Sequence, residues 1–118
     1  MMGSIFIVDN DLATRGYLRE CLEREGHQVT TLASGSEMDR ILFEGVHPLV
    51  ILNLDTPGVR EKGLLMELKK RGPCRILLVV PERGDPFLKE AMDLGVYGFI
   101  HKPFNLEEVC TLVNHLVR

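Results

Sequence analysis

The chain has 118 residues, 45% of them hydrophobic and 26% charged, with a formal net charge of -3. That length and composition suit one globular domain, residues 1–118, built on a single core without disulfides or structural metal, and they exclude a disordered segment. Basic residues are spread along the chain, so direct binding to nucleic acid or to an anionic membrane is excluded as well.

The apolar runs, such as Ile76 to Val80, are far too short to cross a bilayer. The first residues lack the basic start and long apolar stretch of a secretory signal, so the expected location is the cytoplasm. Cys21, Cys74 and Cys110 are odd in number and widely spaced, with no CxxC pair. They read as reduced thiols, two of them on apolar helix faces. His27, His47, His101 and His115 are scattered and read as surface or loop residues.

Ser4 to Val8 is an apolar run ending at Asp9-Asn10-Asp11, any of which can cap a following helix. From Asp11 to Glu25, Leu18, Cys21 and Leu22 recur at helical spacing, and Gly26 supplies the stop. Gln28 to Leu32, with two threonines, has the weaker burial signal of an edge strand. Ser34-Gly35-Ser36 offers a cap for a second helix carrying Met38, Ile41 and Leu42 and ending at Gly45.

Leu49 to Asn53 runs from apolar residues into a polar tip, after which Thr56-Pro57-Gly58 turns the backbone away. This predicts a buried parallel strand with Asn53 at its C-terminal end. Arg60 to Arg71 carries Leu64, Leu65 and Leu68 at helical spacing and ends in Lys69-Lys70-Arg71, where cations suit the helix dipole. Ile76 to Val80 is the most β-branched run and belongs in the middle of the sheet. Asp85-Pro86 opens a fourth helix with Phe87, Ala91 and Leu94 on one face; Val96 to Ile100 is a fifth strand. Asn105 caps a last helix lined by Leu106, Val109, Val113, Leu116 and Val117.

Five strands alternating with five helices predict an α/β fold, a doubly wound parallel sheet covered on both faces to form a three-layer sandwich. With the second strand at the edge and the fourth in the middle, the order is 2-1-3-4-5. A ligand crevice then lies where strand order reverses, between strands one and three. Asp9, Asn10, Asp11 and Asn53 stand there, with Val80 and Lys102 ending neighbouring strands. Carboxylates converging with a lysine suit Mg2+ and a phosphoryl group, because hard cations take oxygen ligands and an ammonium neutralises phosphate.

With Ile5 to Asp11, Leu49 to Gly58, Ala91 to Gly95 and Tyr97 to Phe104, which contains Lys102-Pro103-Phe104, the chain closely resembles the receiver domain of two-component response regulators, a flavodoxin-like fold. The resemblance covers essentially the whole chain and implies a role in two-component or phosphorelay signal transduction. It assigns Asp9 to the first pocket acid, Phe99 to the switch aromatic and Lys102 to the pocket lysine. Three positions depart from the family pattern. Asn10 stands at the second acid, Asn53 at the phosphoacceptor, and Val80 at a hydroxyl residue.

An amide oxygen is uncharged and weakly nucleophilic, so Asn53 is not expected to form an acyl phosphate. Asn10 and Asn53 replace two acids, each worth roughly 4 kcal/mol per unit charge on the metal before desolvation, so Mg2+ binding is expected to be weak or absent, at most through Asp9 and Asp55. Asp9 and Lys102 are expected to pair and neutralise one another. Asp9, Asn10 and Asp11 also suit plain helix capping, Phe99 suits packing, and Pro81-Glu82-Arg83-Gly84 reads as a polar loop. Asp55 is a poor substitute acceptor because it lies two residues past the strand tip.

The reading that follows is a non-enzymatic, phosphorylation-independent pseudo-receiver that binds a partner protein or a second copy of itself. The resemblance places that contact on the fourth helix, fifth strand and last helix, Asp85 to Arg118. Its rivals are a flavodoxin-like domain holding a nucleotide or flavin, against which the acidic Asp9-Asn10-Asp11 loop argues, and an ordinary phosphoacceptor receiver carrying an inactivating Asn53.

Overall fold

The structure, a computed structural model, describes residues 4–41, 47–60 and 62–117. Its strands are β1 (Ser4–Val8), β2 (Gln28–Leu32), β3 (Leu49–Asn53), β4 (Arg75–Val80) and β5 (Gly98–His101). The α-helices are α1 (Leu12–Arg24), α2 (Lys62–Lys70), α3 (Phe87–Asp93) and α4 (Leu106–Leu116). All strands pair in parallel in the order β2-β1-β3-β4-β5, with Asn53 in register with Val79 and Val80 with His101.

Side chains alternate across a strand, so each central strand feeds two cores. Phe6, Val8, Val50, Leu52, Ile76, Leu78 and Val80 pack beneath Met38 and the α2 residues Leu64, Leu65 and Leu68. Ile5, Ile7, Leu49, Ile51, Leu77 and Val79 face Leu18 and Leu22 of α1 and Val109, Cys110 and Val113 of α4. The sandwich is therefore α1 and α4 on one side, α2 and α3 on the other. Burying such side chains from both faces supplies roughly 1.5–3 kcal/mol each and makes β3, buried at all five residues, a rigid base for its tip.

The second helix differs from expectation. Gly35–Arg40 forms a 3-10 segment, and Ile41 has already turned to extended backbone. Met38 is fully buried and Ile41, just past the segment, packs against the same core, so the short segment already covers it. The Arg71 guanidinium caps it from outside by donating to the Met38 and Ile41 carbonyls, the latter at 2.9 Å. Leu42 and the stop expected at Gly45 lie outside the described residues, as does Arg118. A close backbone approach holds the segment against the β3 tip: the Gly35 N–H donates to the Pro57 carbonyl at 2.8 Å, and a Cβ on Gly35 would strike the Gly58 backbone.

Other boundaries move by one or two residues. Asp85 still opens α3, accepting from the Phe87 N–H at 2.9 Å. The last helix is capped as expected, with Asn105 Oδ1 accepting from Glu107 N at 2.8 Å and Glu108 N at 3.3 Å. Burial corrects one histidine. His27 is buried, 7% exposed, its Nε2 bonded to Asn114 Oδ1 of α4. The three cysteines are free thiols. Cys110 is pushed up to about 12 by burial and then by its hydrogen bond to Cys21, so it is a packing residue at neutral pH.

Candidate functional site

The tips of β1 and β3 meet inside the protein. Asp9 and Asn53 are each only 5% exposed. The Asn53 amide donates from Nδ2 to Asp9 Oδ2 at 3.0 Å, while its Oδ1 accepts from the Asp55 N–H at 3.0 Å. The other Asp9 oxygen, Oδ1, accepts from the Asp11 N–H at 2.8 Å. A buried carboxylate requires such partners, because an unpaired one costs several kcal/mol of desolvation. Here the amide acts as a donor that a carboxylate at position 53 could not replace.

The loop after β1 divides its three polar residues by function. Asp11 is the cap of α1, accepting from the Thr14 N–H at 3.0 Å and from the Thr14 hydroxyl. The Thr14 hydroxyl and then its N–H lower the Asp11 carboxyl below 3.8. Asn10 is exposed, and its backbone N–H donates to the hydroxyl of buried Thr56 at 3.1 Å. Arg15 of α1 closes the turn by donating to the Asp9 carbonyl at 2.6 Å.

Lys102 does not reach Asp9. Its Nζ pairs with Asp55 Oδ2 at 3.3 Å, so the neutralising pair expected from sequence is replaced by another. Asp9 is satisfied by neutral donors, and the lysine charge falls to the acid that sits farther out on the rim. Asp55 Oδ1 also meets Arg83 at 3.3 Å and Arg60 at 3.1 Å. Arg60 is itself anchored, donating from Nε to the Leu54 carbonyl at 2.8 Å and pairing with the buried Asp85 carboxylate. Partial burial pushes the Asp55 carboxyl up, but the hydrogen bond and charge of Lys102, followed by Arg83, outweigh it and hold it below 3.8.

Pro81-Glu82-Arg83-Gly84 is thus more than a polar loop. Gly84, at φ +80, completes a turn closed by its N–H to the Pro81 carbonyl at 2.9 Å, and that turn aims Arg83 at Asp55. Val80 lies at the end of β4 with its side chain fully buried in the core beneath α2 and α3, away from the Asp9–Asn53 face. Phe99 is half-buried against that same core, 6.5 Å from the exposed His101 ring. Beside this rim, an open cleft of about 550 Å³ is lined by Thr14, Asp55, Arg83, Lys102 and Phe104, among others.

Sequence reasoning did not find Arg60, Arg83 or the Thr56 hydroxyl. Each lies in a loop, where no periodicity reports direction, and only the proximity of Asp55 to the strand tip hinted at the cluster. Among the described residues, no three His, Cys, Asp or Glu side chains converge as a metal-binding group. Among them, too, no helix is long and apolar enough to cross a membrane.

A five-stranded doubly wound sheet of this order, with its polar residues gathered at the strand ends, defines a flavodoxin-like α/β domain of the receiver type. The response regulator receiver domain model matches residues 5–114, and the chain belongs to that family. It is similar to the aerobic respiration control protein ArcA of Escherichia coli strain K12, 29% identical over 113 residues, covering 96% of this chain and 48% of that protein. It is also similar to the DNA-binding transcriptional regulator NtrC of Bradyrhizobium sp. strain RP501 Parasponia, 30% identical over 113 residues, covering 94% of this chain and 23% of that protein. The chain therefore spans less than half the length of these curated relatives. Among solved structures, full-length FixJ from B. japonicum superposes with a TM-score of 0.80 at 27% identity, covering 98% of this chain and 58% of that one. The family places the chain in two-component signalling.

Proposed function

We propose that this receiver domain works without accepting a phosphoryl group, as a non-catalytic module whose output is a protein–protein contact. The observation that carries the reading is the double engagement of the Asn53 amide, donor to Asp9 and acceptor from the Asp55 backbone. The position where the family resemblance puts the nucleophile serves as a crosslink between two strand tips. It offers no anionic oxygen to attack phosphorus.

The residues present do not fit Mg2+. A hard divalent cation takes several oxygen ligands, most of them anionic. Asp9 has both oxygens engaged by N–H donors, position 53 is a neutral amide, and the Asp55 carboxylate is held by cations of the rim. Val80 adds no hydroxyl and contributes only to the core. No step of the proposed function passes through a metal.

The contact surface we assign comprises α3, β5 and α4. Met92 is 63% exposed, Tyr97 54% and Leu112 41%, on or beside these elements, and aromatic and methionine side chains are enriched at protein interfaces. A solved structure at 22% identity and TM-score 0.77 is a receiver-domain dimer, activated by beryllofluoride. Here the partner is a second copy or another protein, met without activation.

The test is an NMR titration with acetyl phosphate, and separately with beryllofluoride, in the presence of Mg2+. Unchanged spectra are expected; saturable shifts at Asn53 and Phe99 would overturn the reading. Repair sharpens it. Asn53→Asp alone should be phosphorylated poorly, and Asn10→Asp with Asn53→Asp should be phosphorylated better, because nucleophile and metal site act together.

A further inference from the structure

Three loops converge on one carboxylate. Asp55 and Arg60 belong to the loop after β3, Arg83 and Asp85 to the loop after β4, and Lys102 to the loop after β5. Asp55 Oδ1 takes Arg60 at 3.1 Å and Arg83 at 3.3 Å, and Oδ2 takes Lys102 at 3.3 Å. Arg60 carries the chain of contacts on to Asp85, the residue that opens α3, and back to the Leu54 carbonyl.

We propose that Asp55 is a positioning residue that sets the shape of the α3–β5–α4 surface, by fixing the loop that enters α3 and the loop that joins β5 to α4 against the rigid end of β3. This rests on the phosphorylation-independent reading above and adds the device that would hold one conformation in the absence of a covalent signal. Leu54 is fully buried and its N–H continues the sheet ladder to the Val79 carbonyl at 3.0 Å, so Asp55 starts from a fixed backbone. Lys102 leaves β5 with its own N–H bonded to the Val80 carbonyl at 2.9 Å, and Arg83 stands on a closed turn. With the three attachment points held by backbone bonds, the remaining freedom of the loops lies in how they lean over the rim. The shared anion removes it. A single exposed ion pair would orient little, but several cations sharing one carboxylate restrain one another.

The experiment is hydrogen–deuterium exchange by mass spectrometry on the 118-residue chain, without phosphodonor or divalent metal, comparing the parent with Asp55→Asn, Asp55→Glu and Lys102→Met. Asp55→Asn keeps the shape and removes the charge. Exchange in peptides covering 81–87 and 101–106 should rise by about threefold to tenfold, while α1 and β2 stay as they were. Asp55→Glu should restore much of the protection, and Lys102→Met should loosen 101–106 more than 81–87. Unchanged exchange in both loops of Asp55→Asn would overturn the proposal. A rise spread evenly over α1 and β2 would overturn it too, since that reports general destabilisation. Phosphorylation of the parent chain would defeat the reading of function and leave this comparison intact, so the two fail separately.

Discussion

The two sides of the rim hold their charges in opposite ways. Between β1 and β3, Asp9 is buried and satisfied by an amide and a backbone N–H, all neutral donors at 2.8–3.0 Å. Across the tips of β3, β4 and β5, Asp55 lies at the surface with its side chain 36% exposed, matched by Arg60, Arg83 and Lys102. The first arrangement gains its strength from the low dielectric around it, which makes every unmatched group expensive. The second works against solvent screening, so its effect is on orientation more than on total stability. One acid is locked into the fold and the other is left to arrange the loops.

The sharpest way to break that contrast is to put charge where the amide sits. Asn53→Asp places a second carboxylate where the donor atom lies 3.0 Å from Asp9. It should cost about 3 kcal/mol in urea denaturation at neutral pH. Millimolar Mg2+ should raise the melting temperature of that variant and leave the parent unchanged. Asp9→Ala removes the acceptor instead, stranding the Asn53 Nδ2 and the Asp11 N–H, and should cost about 2 kcal/mol with an unchanged m-value.

Val80→Thr tests the core beneath the tip of β4. The valine is fully buried among apolar residues, and a hydroxyl there should cost about 1 kcal/mol unless it finds a partner, which equilibrium unfolding would read directly. The smallest effect is expected at the outer acids. Asp55 and Asp11 are both held below 3.8 in the folded chain, so whatever stability they contribute is fully present above that value. It is lost as the pH falls through their lower folded values. A carboxyl-carbon NMR titration should find both groups still ionised where an ordinary aspartate is half protonated. In Lys102→Met the Asp55 titration should move back toward 3.8 while that of Asp11 changes little.

Much of this was legible in the residues. The alternation of apolar strands with helical stripes led to the correct sheet order, the buried character of β3 and the neutral amide at its tip. Asn105 and Asp11 cap the helices they precede because capping is a local matter of one side chain and the next few N–H groups. The second helix failed as an expectation because the buried Met38 needs only a short turn to reach the core, and Gly35 is held tight against the Gly58 backbone, a long-range contact that no periodicity reports. His27 failed because its partner Asn114 is 87 residues away in sequence.

By itself the sequence determined the fold class, the place of Asn53 at the end of a central strand, and the neutral, acceptor-and-donor character of the amide there, since strand periodicity and functional-group chemistry are local properties. Only the tertiary structure decided that Lys102 serves Asp55 and not Asp9, and that Arg60 and Arg83 join it. The reason is physical: long cationic side chains on loops have no period to betray their direction. Their partners are chosen by which carboxylate remains at the surface after the backbone and a buried amide have satisfied the other.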